Sequence, residues 1–152
     1  MHAAFDSNWF EEIQQWYVVF QRLENPRTKL WHWLLNKSFV HCLLVRELPD
    51  GTVMIIDPRR WGVSVRFVNQ PFEQFLVDHA HQCTAMLGFT ADYRRLDGYK
   101  ARCFYTCVSV CKSILGLKKC LFVQTPFALY KVLVRCSQTT IVKPYVPYVK
   151  GE

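Results

Sequence analysis

At 152 residues and 18.0 kDa the chain has room for one domain and little else. Hydrophobic residues make up 51% and charged residues 20%, enough apolar surface to bury a core and to exclude a disordered chain. No uncharged apolar run reaches the roughly 18 residues of a membrane-crossing helix, and the start MHAAFDSNWFEEIQQW carries acids where a secretory signal needs a basic start and an apolar stretch. The expectation is a compact domain with no transmembrane segment, not exported by a signal peptide.

The first 24 residues read as an amphipathic helix. Trp9, Ile13, Trp16, Tyr17, Phe20 and Leu23 recur at helical spacing, with Ser7 or Asn8 as the cap. NPR at 25–27 ends it, and LWHWLLN at 30–36 predicts a short helical turn. Phe39–Leu48 is a β-rich run, PDG at 49–51 a tight-turn signal and TVMIIDP the return strand. WGVSVRFVN alternates apolar and polar positions as a third strand, so 39–68 predicts an antiparallel meander.

PFEQFLVDHAHQ at 71–82 opens on proline as a short helix does, and Cys83–Phe89 predicts a strand. A charged loop spans 90–102. CVSVCKSILG at 107–116 predicts a helix with Gly116 as its C-terminal cap, LKKCLFVQ a strand or extended link. Thr125-Pro126 opens a helix running to about Arg135, and IVKPYVPYVKGE an extended tail. The order predicts an α+β domain, an antiparallel meander packed against helices. The segments are an N-terminal amphipathic helix (1–30), a main domain (31–136) and an extended tail (137–152).

The charge is unevenly spread. Residues 1–76 balance 8 Lys and Arg against 8 Asp and Glu, whereas residues 77–152 carry 11 against 4, the whole of the +7 excess. No basic run exceeds two residues, so a soluble surface explains this better than an anionic partner, and nucleic-acid binding ranks last.

Seven cysteines in a chain without an export signal read as reduced thiols rather than a disulfide framework. No C-x-x-C pair occurs. Cys103, Cys107 and Cys111 recur every fourth residue, but no histidine pair lies near to complete a tetrahedral zinc site, so neither metal nor cofactor is expected. A reactive thiol needs an electropositive spot, and a helix N-terminus supplies one through its free N–H groups. Cys107, just after Thr106 in the first turn, has that position; Cys103 precedes the helix and Cys111 lies a full turn inside it. His41, in FVHCLLV on the first strand of the hairpin, is the candidate base. With a turn at 49–51, residues whose numbers sum to about 100 pair, which puts Asp57 near His41 at the same end of the hairpin.

The segments FVHCLLVRELPDGTVMIIDP and CFYTCVSVCKSILGLKKCLFVQTPFALYKVL together resemble circularly permuted papain-like cysteine hydrolases of the NlpC type. Short proteins of tailed bacteriophages have a similar layout, and lecithin:retinol acyltransferase-like proteins share the permuted order. The resemblance covers about residues 31–135 and implies Cys107 as nucleophile and His41 as general base. Asp57 matches the third position loosely, with Asn69 and Gln70 as other candidates. It implies a thiol hydrolase or acyltransferase acting on an amide, ester or thioester: a peptide, a peptidoglycan peptide or a lipid acyl substrate. The alternative it implies is a bacteriophage virion-associated structural or binding protein that docks onto other phage structural proteins through the aromatics of 9–20 and the YVPYVK tail. The corresponding locations are the host cytoplasm or the virion.

Overall fold

The computed structural model describes residues 13–22, 36, 38–59, 62–79, 82–92, 106–117 and 122–143. Its elements are β1 (Ile13–Gln21), β2 (His41–Glu47), β3 (Val53–Arg59), β4 (Gly62–Val68), α1 (Phe72–His79), β5 (Cys83–Asp92), α2 (Cys107–Ile114), α3 (Pro126–Val134) and β6 (Thr139–Lys143). The six strands form one antiparallel sheet in the order β4-β3-β2-β1-β5-β6. The protein is α+β, and the predicted meander is β2-β3-β4. In its first hairpin Leu44 pairs with Ile56 and Val45 with Ile55, the anticipated register. The turn closes through Gly51 N–H to the Leu48 carbonyl (2.9 Å), Gly51 takes φ of 78°, and Asp50 accepts from the Thr52 N–H (2.9 Å).

The N-terminal segment is where the sequence reading is corrected. Ile13–Gln21 is a strand, not a helix, and it occupies the sheet centre between β2 and β5. Trp16, Val18 and Phe20 face one side and Val19 the other, all buried. A strand covered on both faces reads as a nearly continuous apolar run, and such a run also satisfies helical spacing. The β-branched Val18-Val19 and the aromatics Trp16, Tyr17 and Phe20 suit the pleated arrangement. Trp9, Phe10 and the cap at Ser7 or Asn8 lie outside the described residues, as does the helical turn at 30–36 apart from Asn36.

β1 carries the centre of the same sheet, and β6, at the start of the expected tail, pairs with β5 through Leu87↔Ile141 and Phe89↔Thr139. The strand expectation at 83–89 extends to Asp92. The loop that follows and the tail from 144 onward are outside the described residues, as are residues 118–121 of the 117–124 link.

Helices cover both faces. α2 and α3 pack on the side bearing Trp16, Phe20, Cys42, Leu44 and Leu87; Phe20 meets Phe39 and Tyr130 edge-on at 5.5 and 5.6 Å. α1 covers the other side, where Phe72 and Phe75 pack on Val19, Leu43 and Ile55. No helix among the described residues is long and apolar enough to cross a membrane.

Candidate active site

α2 begins at Cys107 because Thr106 halts the extended chain and caps it. Thr106, at φ −100° and ψ 157°, accepts from the Ser109 N–H through its hydroxyl (3.1 Å), and Ser109 Oγ accepts from the Thr106 N–H (2.9 Å). The helix ends where Gly116 turns to φ of 68° and the Leu117 N–H reaches back to the Lys112 carbonyl (2.9 Å). Val108, Cys111 and Leu115 anchor its buried face against the sheet. Cys107 is thereby held at the first helical position, where the N–H groups of Cys107 and Val108 have no partner within the helix.

The hairpin supplies the other groups. His41 is the first residue of β2, and its Nε2–H donates to Asp57 Oδ1 on β3 at 2.8 Å. Asp57 is held in turn by Arg59, whose Nε and Nη2 donate to Oδ2 at 2.9 and 2.8 Å. The His41 side chain is 29% exposed and that of Asp57 8%. The imidazole and the Cys107 thiol are near enough to favour each other's charged forms.

The charges of the three groups follow from these contacts. For Cys107 the strongest influence is the hydrogen bond from the Cys42 thiol; burial opposes ionisation, but the hydrogen bond and positive charge of His41 and the Cys42 backbone N–H side with the thiolate. Together they bring the thiol from an ordinary 9.0 down to about 4. Burial disfavours the charged imidazole of His41, yet the hydrogen bonds and negative charges of Cys107 and Asp57 outweigh it and raise its pKa above 6.5. Asp57 shows the same contest: burial favours the acid, while His41 and Arg59 hold the carboxyl below its ordinary 3.8. All three shifts favour the charged forms: a thiolate beside an imidazolium, backed by a carboxylate.

Cys107, His41 and Asp57, from three separate elements, therefore meet at one place. Among the described residues, Asp57 is the carboxylate on His41; Asn69 is exposed at the end of β4, and Gln70 Nε2 is buried without a hydrogen-bond partner. Cys111 is fully buried, and Cys103, Phe104, Tyr105, His32 and His81 lie outside the described residues. His79 donates from Nδ1 to the Phe75 carbonyl at 2.9 Å and stacks on that ring. Among the described residues no group of three or more His, Cys, Asp or Glu is arranged to hold a metal ion.

Two residues of the site escaped the sequence reading. Cys42 was one apolar thiol among seven; its position beside His41 on a strand was the available signal, since neighbours point to opposite faces and Cys42 must then face the α2 layer. Arg59 carried no signal, because a strand-end arginine is ordinary and its partner is set by the hairpin register. No family model, no curated protein and no solved structure matches the chain.

Proposed function

We propose that the protein is a thiol hydrolase or acyltransferase acting on an amide, ester or thioester carbonyl. The observation that carries the reading is the Cys107 thiolate at the first turn of α2 beside the His41–Asp57 pair. Cys107 Sγ adds to the carbonyl carbon, and the N–H groups of Cys107 and Val108 donate to the developing oxyanion. The His41 imidazolium then protonates the departing amine, alcohol or thiol, leaving an acyl-enzyme. Neutral His41 next takes a proton from water, or from an acceptor, which displaces the sulfur. Asp57 orients the ring and stabilises its positive form, and Arg59 fixes Asp57.

The likeness of the two quoted segments to permuted papain-like hydrolases supports the same reading and favours a peptidoglycan peptide or a lipid acyl group as substrate. The binding-protein alternative for a phage particle has lost part of its basis, because Trp16 and Phe20 are core residues and unavailable for docking.

The test pairs reactivity with turnover. Iodoacetamide labelling of the intact protein, resolved by mass spectrometry, is expected to modify Cys107 rapidly below pH 7, and His41→Ala to remove that advantage. On a panel of peptide, peptidoglycan-fragment and acyl-ester substrates, Cys107→Ala is expected to lose at least about 10³-fold in turnover with the fold intact. Turnover undiminished in Cys107→Ala would falsify the assignment.

A further inference from the structure

Cys42 is in contact with both described thiols of α2. Strand alternation sends His41 and Cys42 to opposite faces of β2, and Cys42 is sealed in the core at 0% exposure. Cys107 and Cys111, four residues apart, share the helix face turned toward it. The Cys111 S–H donates to Cys42 Sγ at 3.7 Å, and Cys107, one turn earlier on the helix, packs against the same core cluster. The sulfurs thus form a chain from the core to the site, in which Cys107 alone is partly exposed.

That arrangement separates access from proximity. A small oxidant entering the site meets Cys107 first, because Cys42 and Cys111 have no solvent contact. An oxidised Cys107 nevertheless has a thiol directly behind it. Cys111 is the poorer partner for such a product: Cβ atoms at i and i+4 of a helix lie about 5–6 Å apart, and a disulfide needs about 3.8 Å. Cys42, on a different element and in the core cluster against which Cys107 packs, does not require the helix to unwind.

We propose that Cys42 is a resolving thiol, and that Cys107 and Cys42 form a reversible disulfide when a hydroperoxide oxidises the site. The proposal rests on Cys107 being the reactive nucleophile. In the first step the Cys107 sulfur bonds the distal peroxide oxygen as the O–O bond breaks; the released oxide takes a proton and leaves as water or an alcohol, and Cys107 becomes a sulfenic acid. In the second step Cys42 sulfur attacks Cys107 sulfur. The S–S bond forms, the S–O bond breaks, and the Cys42 proton leaves with the hydroxyl as water. Two thiols give up two electrons and two protons, and one peroxide is reduced. The disulfide silences the nucleophile and spares it the irreversible sulfinic state; a thiol reductant returns it to use.

The experiment exposes the full chain to a small excess of hydrogen peroxide, alkylates remaining free thiols and maps the peptides by mass spectrometry. The expected product is one cross-link, Cys42 to Cys107, reversed by dithiothreitol with recovery of rapid Cys107 labelling. Cys42→Ser keeps a donor of similar size but cannot form the bond. In that variant Cys107 is expected to accumulate as sulfinic acid, with the reductant-recoverable fraction lowered roughly tenfold. The wild-type cross-link is measured directly, so the outcome does not depend on whether the variant folds. Sulfinic Cys107 in the wild-type protein, or a cross-link to Cys111 or Cys103, overturns the resolving role and leaves the nucleophile standing. A Cys107 that stays reduced and unreactive while other thiols oxidise overturns both.

Discussion

Three ionisable side chains, Cys107, His41 and Asp57, have pKa shifts that favour their charged forms, and the signs define a pH window. Cys107, at about 4 in the folded protein against 9.0 ordinarily, stabilises the fold fully above pH 9 and loses that contribution as pH falls toward 4. His41, raised above 6.5, contributes fully below 6.5 and loses it as pH climbs through the raised value. Asp57, lowered from 3.8, contributes above 3.8 and loses it as pH drops further. The thiolate–imidazolium pair therefore exists from about pH 4 up to the raised His41 value. The rate of Cys107 alkylation is expected to rise near pH 4 with no step near 9. Cys42→Ala and His41→Ala are each expected to move that rise upward; a labelling profile unmoved in both variants would refute these influences. Asp57→Asn removes the charge behind His41 while keeping its shape, and turnover is expected to fall by about 10²-fold or more. Its alkylation profile locates the cause: the His41 step moves down while labelling of Cys107 continues.

At the scale of elements, the site depends on where α2 begins. Thr106→Ala removes the hydroxyl that meets the Ser109 N–H and is expected to cost about 1 kcal/mol in urea unfolding. A frayed first turn also displaces Cys107, so its labelling below pH 7 should slow in the same variant. This cap, the Gly116 stop and the Thr125-Pro126 start of α3 are local signals, written within a few residues, and each was legible before any fold was known. The strand β1 was not. Its apolar positions suit two periods, and what selects the strand is pairing with β2 and β5, partners about 25 and 70 residues away. Phe20→Ala tests that placement: a central strand residue packed on Phe39 and Tyr130 is expected to cost about 3–5 kcal/mol. A loss below about 1 kcal/mol by chemical denaturation would mean that β1 does not sit in the core.

For the molecule as a whole, the sheet concentrates its burial at the centre and leaves both edge strands, β4 and β6, exposed. β2, β1 and β5 are covered on both faces, while β4 has only intermediate or exposed positions, with Val65 51% and Phe67 62% exposed. Val65→Lys is expected to change unfolding free energy by no more than about 0.5 kcal/mol, and a charged edge residue also opposes strand-to-strand association. The candidate site lies where the start of β2 and the end of β3 carry His41 and Asp57, and α2 packs on these two strands. A rigid, buried support of this kind holds the imidazole and sulfur in register.

The sequence by itself determined the elements whose signals are local: the hairpin and its register from the turn at 49–51, the helix ends from Thr106, Gly116 and Thr125-Pro126, and the α+β character from their order. It also singled out Cys107 by its place after a capping threonine, and His41 and Asp57 by their place in one hairpin. Only the tertiary structure decided that β1 is the central strand, that β6 extends the sheet, and that Cys42 and Arg59 complete the site. The reason is the range of the interactions. A cap or turn is satisfied by neighbours in the chain, whereas strand pairing and thiol contacts across layers join residues tens of positions apart, and no local pattern records them.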